Sequence, residues 1–311
     1  MKRQFEQWLL EVWYGQRWLA KYLLLPLTAF YCLLNALNRW QQQRQQIQHP
    51  VPVIVVGNLT AGGTGKTPLV IWLVELLRQA GYQPGVVSRG YQRQASGLGD
   101  EPLLIMQRTG GVPLVVDRER NRAISTLLQQ HGCNIVIADD GLQHYRMGRT
   151  LEICVVDGQR QWGNGWCLPA GPLRERVTRL QSCDFVVVNG TTMQMRGETL
   201  VALTGNTTQP LSALAGQQVH AVTGIGNPQR FKLMLEAAGL LVTLHPYPDH
   251  HAFTGEELQF DDDLPVLITE KDAVKCREYA IPNAWYLPVE AVLADGFAQA
   301  VLSRLQGVPH G

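Results

Sequence analysis

Residues 53–68 read VIVVGNLTAGGTGKTP, and this stretch decides the fold. Four apolar β-formers, Val53, Ile54, Val55 and Val56, predict a strand buried on both faces. Gly62, Gly63 and Gly65 then make a flexible turn, and Lys66-Thr67 open an apolar run over 69–77 with helical character. Strand, glycine loop, Lys-Thr and helix in this order build a phosphate cradle. Backbone N–H groups converge on phosphate oxygens, the helix N-terminus adds partial positive charge, and Lys66 reaches the β- and γ-phosphates. The Thr67 hydroxyl takes a Mg²⁺ coordination position. The cradle is predicted to run through Thr60, Ala61, Gly62, Gly63, Thr64, Gly65, Lys66 and Thr67. The strict pattern has glycine where this chain has Thr60, and the strand-loop-helix context carries the assignment instead. The chain is expected to bind a nucleoside triphosphate.

Outward from the loop, apolar runs at 84–88, 113–116, 134–138, 151–156 and 184–188 predict further strands. Helical patterns fit 67–80, 118–131 and 172–182. The alternation implies βαβ units, a mostly parallel sheet covered on both faces, and ligands beyond the carboxyl ends of its strands. Residues 191–215 are polar and read as an interdomain connection. A second set then follows, with strands at 218–223, 240–244 and 265–269 and helices at 228–239 and 289–306. The expected fold is therefore α/β, a P-loop NTPase-like α/β/α sandwich with a second, smaller α/β domain. The expected ranges are 1–45 for N-terminal membrane-associated helices, 46–205 for the P-loop domain and 206–311 for the C-terminal domain.

With 311 residues, 45% of them hydrophobic, the chain can bury two cores. A formal net charge of +1 excludes bulk nucleic-acid binding, which needs a basic excess. The cysteines, Cys32, Cys133, Cys154, Cys167, Cys183 and Cys276, show no Cys-x-x-Cys spacing and read as reduced, mostly buried thiols rather than a zinc site.

The N-terminus differs from the rest. Trp8, Trp13, Tyr14, Trp18 and Trp40 surround an apolar run at 22–37 broken by Pro26, Thr28 and Asn35. Lys2, Arg3, Arg17 and Lys21 precede it, and Arg39 and Arg44 follow. A spanning helix needs about 20 apolar residues, and no small-residue cleavage site precedes the polar stretch 41–48. An amphipathic or partly inserted surface helix fits this pattern, with aromatics at headgroup depth and cations toward anionic lipid. A helical hairpin packed on the protein's own core is the alternative. The polar stretch 41–52, ending in Pro50 and Pro52, reads as a linker.

Three further clusters carry chemistry. The strand at 134–138 ends in Asp139-Asp140, where P-loop proteins hold nucleotide-bound Mg²⁺ through an aspartate. Gln143 and His144 continue the same loop. Ser88-Arg89-Gly90-Tyr91 ends the strand at 84–88, after the P-loop helix, and Gly99-Asp100-Glu101-Pro102 follows in a glycine-containing loop. A carboxylate there suits a base that accepts the proton of an attacking hydroxyl, although the same residues make ordinary turns. In Tyr247-Pro-Asp249-His250-His251, a histidine that orients a carboxylate base is more natural than a zinc ligand. Thr269-Glu270-Lys271-Asp272 has the wrong order for a guanine-reading box. Arg118, Arg120 and Arg122, and Arg174-Glu175-Arg176, read either as cations for substrate phosphate or as solvated faces.

In order along the chain, GNLTAGGTGKTP, SRGY, GDEP, VDRERNRA, IADDGLQH, LPAGPLRE, PDHHAF and TEKDAVK resemble the tetraacyldisaccharide 4'-kinase family of Gram-negative bacteria. The resemblance covers nearly the whole chain. It implies two α/β/α domains with the active site between them. It also implies transfer of the γ-phosphoryl of ATP, with Mg²⁺, to the 4'-hydroxyl of an acylated glucosamine disaccharide 1-phosphate, the lipid A precursor. The implied place is the cytoplasmic face of the bacterial inner membrane, held peripherally or monotopically on its lipid surface, with no nucleic acid and no obligate protein partner. By the same resemblance, Lys66 and Thr67 hold phosphate and Mg²⁺, and Asp139 and Asp140 belong to the metal shell. Asp100 is the base and His250, rather than His251, its partner. Glu101, Arg120, Gln143, His144, Arg174 and Glu175 are supporting positions. A membrane-associated switch ATPase is the competing class, but such proteins place lysine immediately before the Gly-Gly pair, where this chain has Ala61.

Overall fold

The structure is a computed structural model that describes residues 2–15, 18–90, 99–205, 207–279 and 281–306. Arg17 and Tyr91, and the side chains of Lys2, Arg3 and Trp18, lie outside the described residues. Along the chain come α1 (Lys2–Tyr14), α2 (Lys21–Arg44), β1 (Val53–Gly57), α3 (Lys66–Gln79), β2 (Pro84–Ser88), α4 (Asp100–Arg108) and β3 (Leu114–Val116). Next are α5 (Arg120–His131), β4 (Ile135–Asp139), β5 (Leu151–Asp157), β6 (Phe185–Asn189), β7 (Met193–Arg196), β8 (Thr199–Ala202) and β9 (Thr208–Pro210). The remainder comprises β10 (Gln218–Thr223), α6 (Pro228–Ala237), β11 (Leu241–Pro246), β12 (Val266–Thr269), α7 (Glu270–Cys276), β13 (Ala284–Leu287), β14 (Glu290–Leu293) and α8 (Phe297–Gln306).

These elements form two compact units. The first holds Met1–Gly90, Thr109–Gln194 and Leu293–Gly311, and the second holds Tyr91–Arg108 and Met195–Val292. Thus α4 groups with the second unit and α8 with the first, so neither unit is a single continuous range.

In the first unit β6, β5, β1, β4, β2 and β3 lie side by side and all pair in parallel. Strands β1, β4 and β5 are buried along their whole length, which is why they read as unbroken apolar runs rather than alternating ones. The chain leaves β1 for β2, then returns to place β4 between them, which makes this an α/β fold of the P-loop type. Register sets Val56 of β1 opposite Asp139 of β4, so the phosphate loop and the aspartate pair leave the same edge side by side. In the second unit β11, β10, β12 and β13 run parallel, and β8 and β9 add an antiparallel edge.

Several expected elements differ. Only Val177–Ser182 of the helix expected at 172–182 is helical, as a 3₁₀ segment. The residues before it spend their backbone groups on the phosphate loop instead: Ala61 N–H donates to the Pro172 carbonyl and Arg174 N–H to that of Leu59. Of residues 99–102, expected as a loop, Asp100–Pro102 open α4, whose first turn tolerates Pro102 because the missing N–H has no intrahelical partner there. The stretch 191–215 is not a plain connection, because it supplies β7, β8 and β9. The helix expected over 289–306 begins only at Phe297, after β14. Helix α2 runs to Arg44, so the linker begins within the range read from its polarity.

Helix α2 is inverted relative to a water-soluble amphipathic helix. Its polar side chains face the protein: buried Thr28 donates to the Cys167 carbonyl, and Tyr31 and Asn35 donate to the Arg174 carbonyl. Its outer face shows Leu23 (82% exposed), Leu27, Phe30, Leu34 and Leu37 to solvent. Trp13 of α1 donates to the Pro169 carbonyl. Both N-terminal helices thus rest on the first unit and leave a contiguous apolar stripe uncovered. No helix among the described residues is long and apolar enough to cross a membrane.

Gly85 tests the tightness of the first core. A Cβ there would lie 1.9 Å from Leu127 Cδ2 and 2.7 Å from Cys133 Sγ, both in the buried cluster against β2. Gly85→Ala is expected to destabilise the protein by about 1–3 kcal/mol through overpacking. The thermal midpoint should fall by several degrees, and an unchanged midpoint would show that this packing yields.

Candidate active site

The phosphate cradle is built by backbone shape. Gly62 and Gly65 adopt φ of +107° and +96°, a region that side chains with a Cβ rarely enter, and Gly65 is the residue before α3. A Cβ at Gly62 would meet nothing within 4 Å, so its glycine answers to conformation rather than crowding. Asn58, fully buried, ties the loop together. Its Nδ2 donates to the Thr60 carbonyl at 2.8 Å and to that of Gly62 at 3.3 Å, and its Oδ1 accepts from Lys66 Nζ at 3.2 Å. Gln143 donates to the Asn58 carbonyl at 3.1 Å, and Asn189 to that of Thr64 at 3.1 Å. The protein's own groups therefore fix the shape of the loop.

Asp140 is the charged centre of this cluster. Lys66 Nζ lies 3.4 Å from its Oδ1, and Arg174 Nη1 lies 3.2 Å from both carboxylate oxygens. Burial would raise its pKa, but Lys66 and Arg174 outweigh that and hold it far below the usual carboxylate range. Its φ of +50° is a left-handed conformation, uncommon for a residue with a Cβ. Strain of this kind concentrates where a side chain must be aimed. Asp139, buried at the end of β4, has its carbonyl gripped by Arg120 Nη2 at 2.9 Å.

Thr67 at the start of α3, Asp139 and Asp140 give an all-oxygen donor set of the kind Mg²⁺ takes. Among the described residues no three or more His, Cys, Asp or Glu converge as a metal cluster. Mg²⁺ is commonly held by one or two carboxylates, with phosphate and water completing its shell.

Arg120 is not on a solvated face. It is 1% exposed, and its guanidinium donates to the carbonyls of Asp117 and Asp139, joining the start of α5 to the end of β4. Burial pushes its pKa down to about 10, so it stays charged near neutral pH. Arg122 instead pairs with Asp117 on the surface. Glu175 lies in a buried network in which Tyr145 donates to Glu175 and Arg179 donates to Tyr145 and Glu152.

The second unit holds the other half of the predicted residues. Asp100, the first residue of α4, is buried, with Oδ2 3.4 Å from His250 Nδ1 and 3.1 Å from Lys275 Nζ. Burial raises its pKa, and the contacts with His250 and Lys275 more than reverse this, so the carboxylate is ionised at neutral pH. His250 has φ of +61°, again left-handed. His251 turns elsewhere, 2.9 Å from Glu257. Glu101 pairs with Lys271 at 3.0 Å, and Lys271 also reaches Asp249 at 3.3 Å.

Lys275 and Asn58 were not singled out from the sequence, and Lys271 and Asp272 were weighed only as part of a guanine-reading box and set aside. Asp272, fully buried, accepts from the Thr223 hydroxyl and Gly224 N–H at 3.0 Å each, and from the Thr269 hydroxyl at 2.6 Å. The Gly224 carbonyl in turn accepts from His250 N–H at 3.1 Å, so one carboxylate positions the histidine loop. The available signal was Lys275 three residues after Asp272, one turn along a helix that Thr269 caps.

His144 offers a test by pH. Burial, then the charges of Arg120 and Arg89, push its pKa from 6.5 down to about 4. The unfolded chain therefore takes up the proton first. The stability linked to this group is intact above pH 6.5 and is lost as pH falls from 6.5 toward 4. His144→Gln is expected to flatten the fall in thermal midpoint across that window. An identical profile in the variant would place the acid sensitivity elsewhere.

Comparison with known proteins adds the chemistry of relatives. A family model described as tetraacyldisaccharide-1-P 4'-kinase matches residues 20–306. A tetraacyldisaccharide 4'-kinase of Methylobacillus flagellatus is 45% identical, over 98% of this chain and 98% of that one. One from Alcanivorax borkumensis is 46% identical over 97% and 98%. A crystal structure of LpxK from Aquifex aeolicus in complex with ATP shares 25% identity and a TM-score of 0.74, covering 92% of this chain and 99% of that one. A match of this extent, carried by a chain with this phosphate cradle, settles its relationship: the chain belongs to the tetraacyldisaccharide-1-P 4'-kinase family.

Proposed function

We propose that this chain transfers the γ-phosphoryl group of ATP to the 4'-hydroxyl of a tetraacylated glucosamine disaccharide 1-phosphate in lipid A biosynthesis. The observation that carries this reading is family membership across residues 20–306, and the side-chain geometry supports a role for each group. Bound Mg²⁺ would neutralise charge on the phosphates, and Thr67, Asp139 and Asp140 are the residues proposed to hold it. Lys66 supplies a fixed positive charge at the cradle, and the N–H groups of the loop orient the phosphates. Arg174 keeps Asp140 ionised and aimed.

Asp100 is proposed to accept the proton of the acceptor hydroxyl on a carboxylate oxygen. A carboxylate with a lowered pKa is a weak base, which suits phosphoryl transfer. There the acceptor proton is lost late and most of the rate comes from positioning and charge. His250 orients the carboxylate, and Lys275 sets its charge state from another side. Glu101 and Lys271 are proposed to support the same surface. The apolar stripe of α2, with polar groups turned inward, suits the surface of a lipid bilayer better than water. We place the protein peripherally on the cytoplasmic face of the inner membrane, where its lipid acceptor would lie.

The purified full-length chain, incubated with ATP, Mg²⁺ and the acylated disaccharide 1-phosphate in detergent, should yield the 1,4'-bisphosphate by mass spectrometry. No product, with ATP turnover indifferent to the acceptor, would overturn the assignment. Asp100→Asn should lower kcat by about 10²–10⁴-fold while nucleotide affinity stays within about twofold. Lost nucleotide affinity would move Asp100 into the metal shell. For the bilayer, Leu23→Glu with Phe30→Glu is expected to abolish co-sedimentation with anionic vesicles. Retained sedimentation would remove α2 from the membrane contact.

A further inference from the structure

Residues 172–174 form a strap between α2 and the phosphate loop, and Arg174 holds four partners at once. Its N–H donates to the Leu59 carbonyl at 2.6 Å, while Leu173 bridges Thr60 and the Pro172 carbonyl accepts from Ala61 N–H at 2.8 Å. Its guanidinium grips both oxygens of Asp140. Its carbonyl faces the other way and accepts twice from α2, from Tyr31 OH at 2.9 Å and from Asn35 Nδ2 at 2.8 Å. Tyr31 and Asn35 are four residues apart and so share one face of the helix. The apolar stripe of Leu23, Leu27, Phe30 and Leu34 lies away from that face.

A carbonyl with both lone pairs engaged is fixed in direction, and its peptide plane fixes the strap on either side. We infer that Tyr31 and Asn35 are positioning residues for nucleotide binding. Through the Arg174 carbonyl they hold the phosphate loop and Asp140 in register, and they make nucleotide affinity depend on how α2 is seated. The inference rests on the kinase reading above. It also separates two functions of one helix: the leucine stripe meets the lipid, and the Tyr31–Asn35 edge sets the loop. A helix that merely docked would have no reason to direct two donors onto one carbonyl of the residue that clamps Asp140. Trp13 of α1 provides the control, since it makes the same kind of bond to the Pro169 carbonyl, outside the strap.

The test compares the full-length wild type, the Tyr31→Phe/Asn35→Leu double variant and Trp13→Phe. The readouts are calorimetric binding of a non-hydrolysable ATP analogue with Mg²⁺, and amide hydrogen exchange without nucleotide. The double variant is expected to bind the analogue about 5- to 150-fold more weakly, the range for two ordinary hydrogen bonds. Exchange should quicken at 59–61 and 172–175, with vesicle binding unchanged, while Trp13→Phe stays within about twofold of wild type on this scale. Unchanged affinity and exchange in the double variant, or an equal loss in Trp13→Phe, would overturn the inference alone. A wild type that binds no analogue would instead overturn the kinase reading beneath it. If the double variant does not fold, Tyr31→Phe carries the same readouts, with about a two- to twelve-fold loss expected for one hydroxyl. No loss in that variant would overturn the inference.

Discussion

The parallel pairing of β1 with β4 is the constraint on which the nucleotide cluster depends. Once Val56 stands opposite Asp139, the glycine loop and the two aspartates must leave the sheet at one edge. Gly57 keeps that exit close, because a Cβ there would come 2.7 Å from Leu142 Cγ in the loop after the aspartates. Gly141 N–H donates across to the Val56 carbonyl, so the two exits are hydrogen-bonded as well as adjacent. Lys66, Asn58, Gln143 and Arg174 then have only short distances to cover. Their ion pairs and hydrogen bonds refine an arrangement that strand register has already imposed.

The second unit reaches a comparable result with one buried carboxylate. Asp272 collects donors from the end of β10 and the start of α7, and the turn it stabilises presents the histidine loop. Burying a carboxylate is costly unless its oxygens are satisfied, and here two hydroxyls, an amide and the Lys275 ammonium meet that need. Lys275 also touches Asp100, so the cation that neutralises the structural aspartate helps, with His250, to keep the proposed base ionised.

How much of this was legible follows from the kind of signal each residue carries. The buried strands and the glycine loop could be read directly, because burial on both faces forces continuous apolar runs and a positive φ favours glycine. Asp139 and Asp140 were legible as carboxylates at a strand end. Asn58 was not, because a buried asparagine that bonds backbone carbonyls looks like any polar residue in a loop. Residues 172–176 were misread as helix since their backbone partners lie over a hundred residues away in the phosphate loop. Helix α4 was missed because Gly-Asp-Glu-Pro suits a turn and a helix's first turn equally. The inward polar face of α2 was hidden for a related reason: Thr28 and Asn35 interrupt an apolar run, and sequence alone does not show that they meet carbonyls.

The placement of α8 bears on how the protein is made. Phe297 packs against Trp72 of α3 and Phe185 of β6, with ring centroids 5.7 and 5.3 Å apart, and Val301 and Leu305 are fully buried. During synthesis, the sheet that carries the phosphate loop emerges long before this helix, and the second unit is translated in between. The first unit must therefore wait with part of its apolar surface uncovered until the final helix arrives. Its N-terminal half, released early, also bears the leucine stripe. A nascent chain in this state presents two unsatisfied apolar surfaces at once, so the nucleotide-binding unit starts before the second unit is made and is completed only after it.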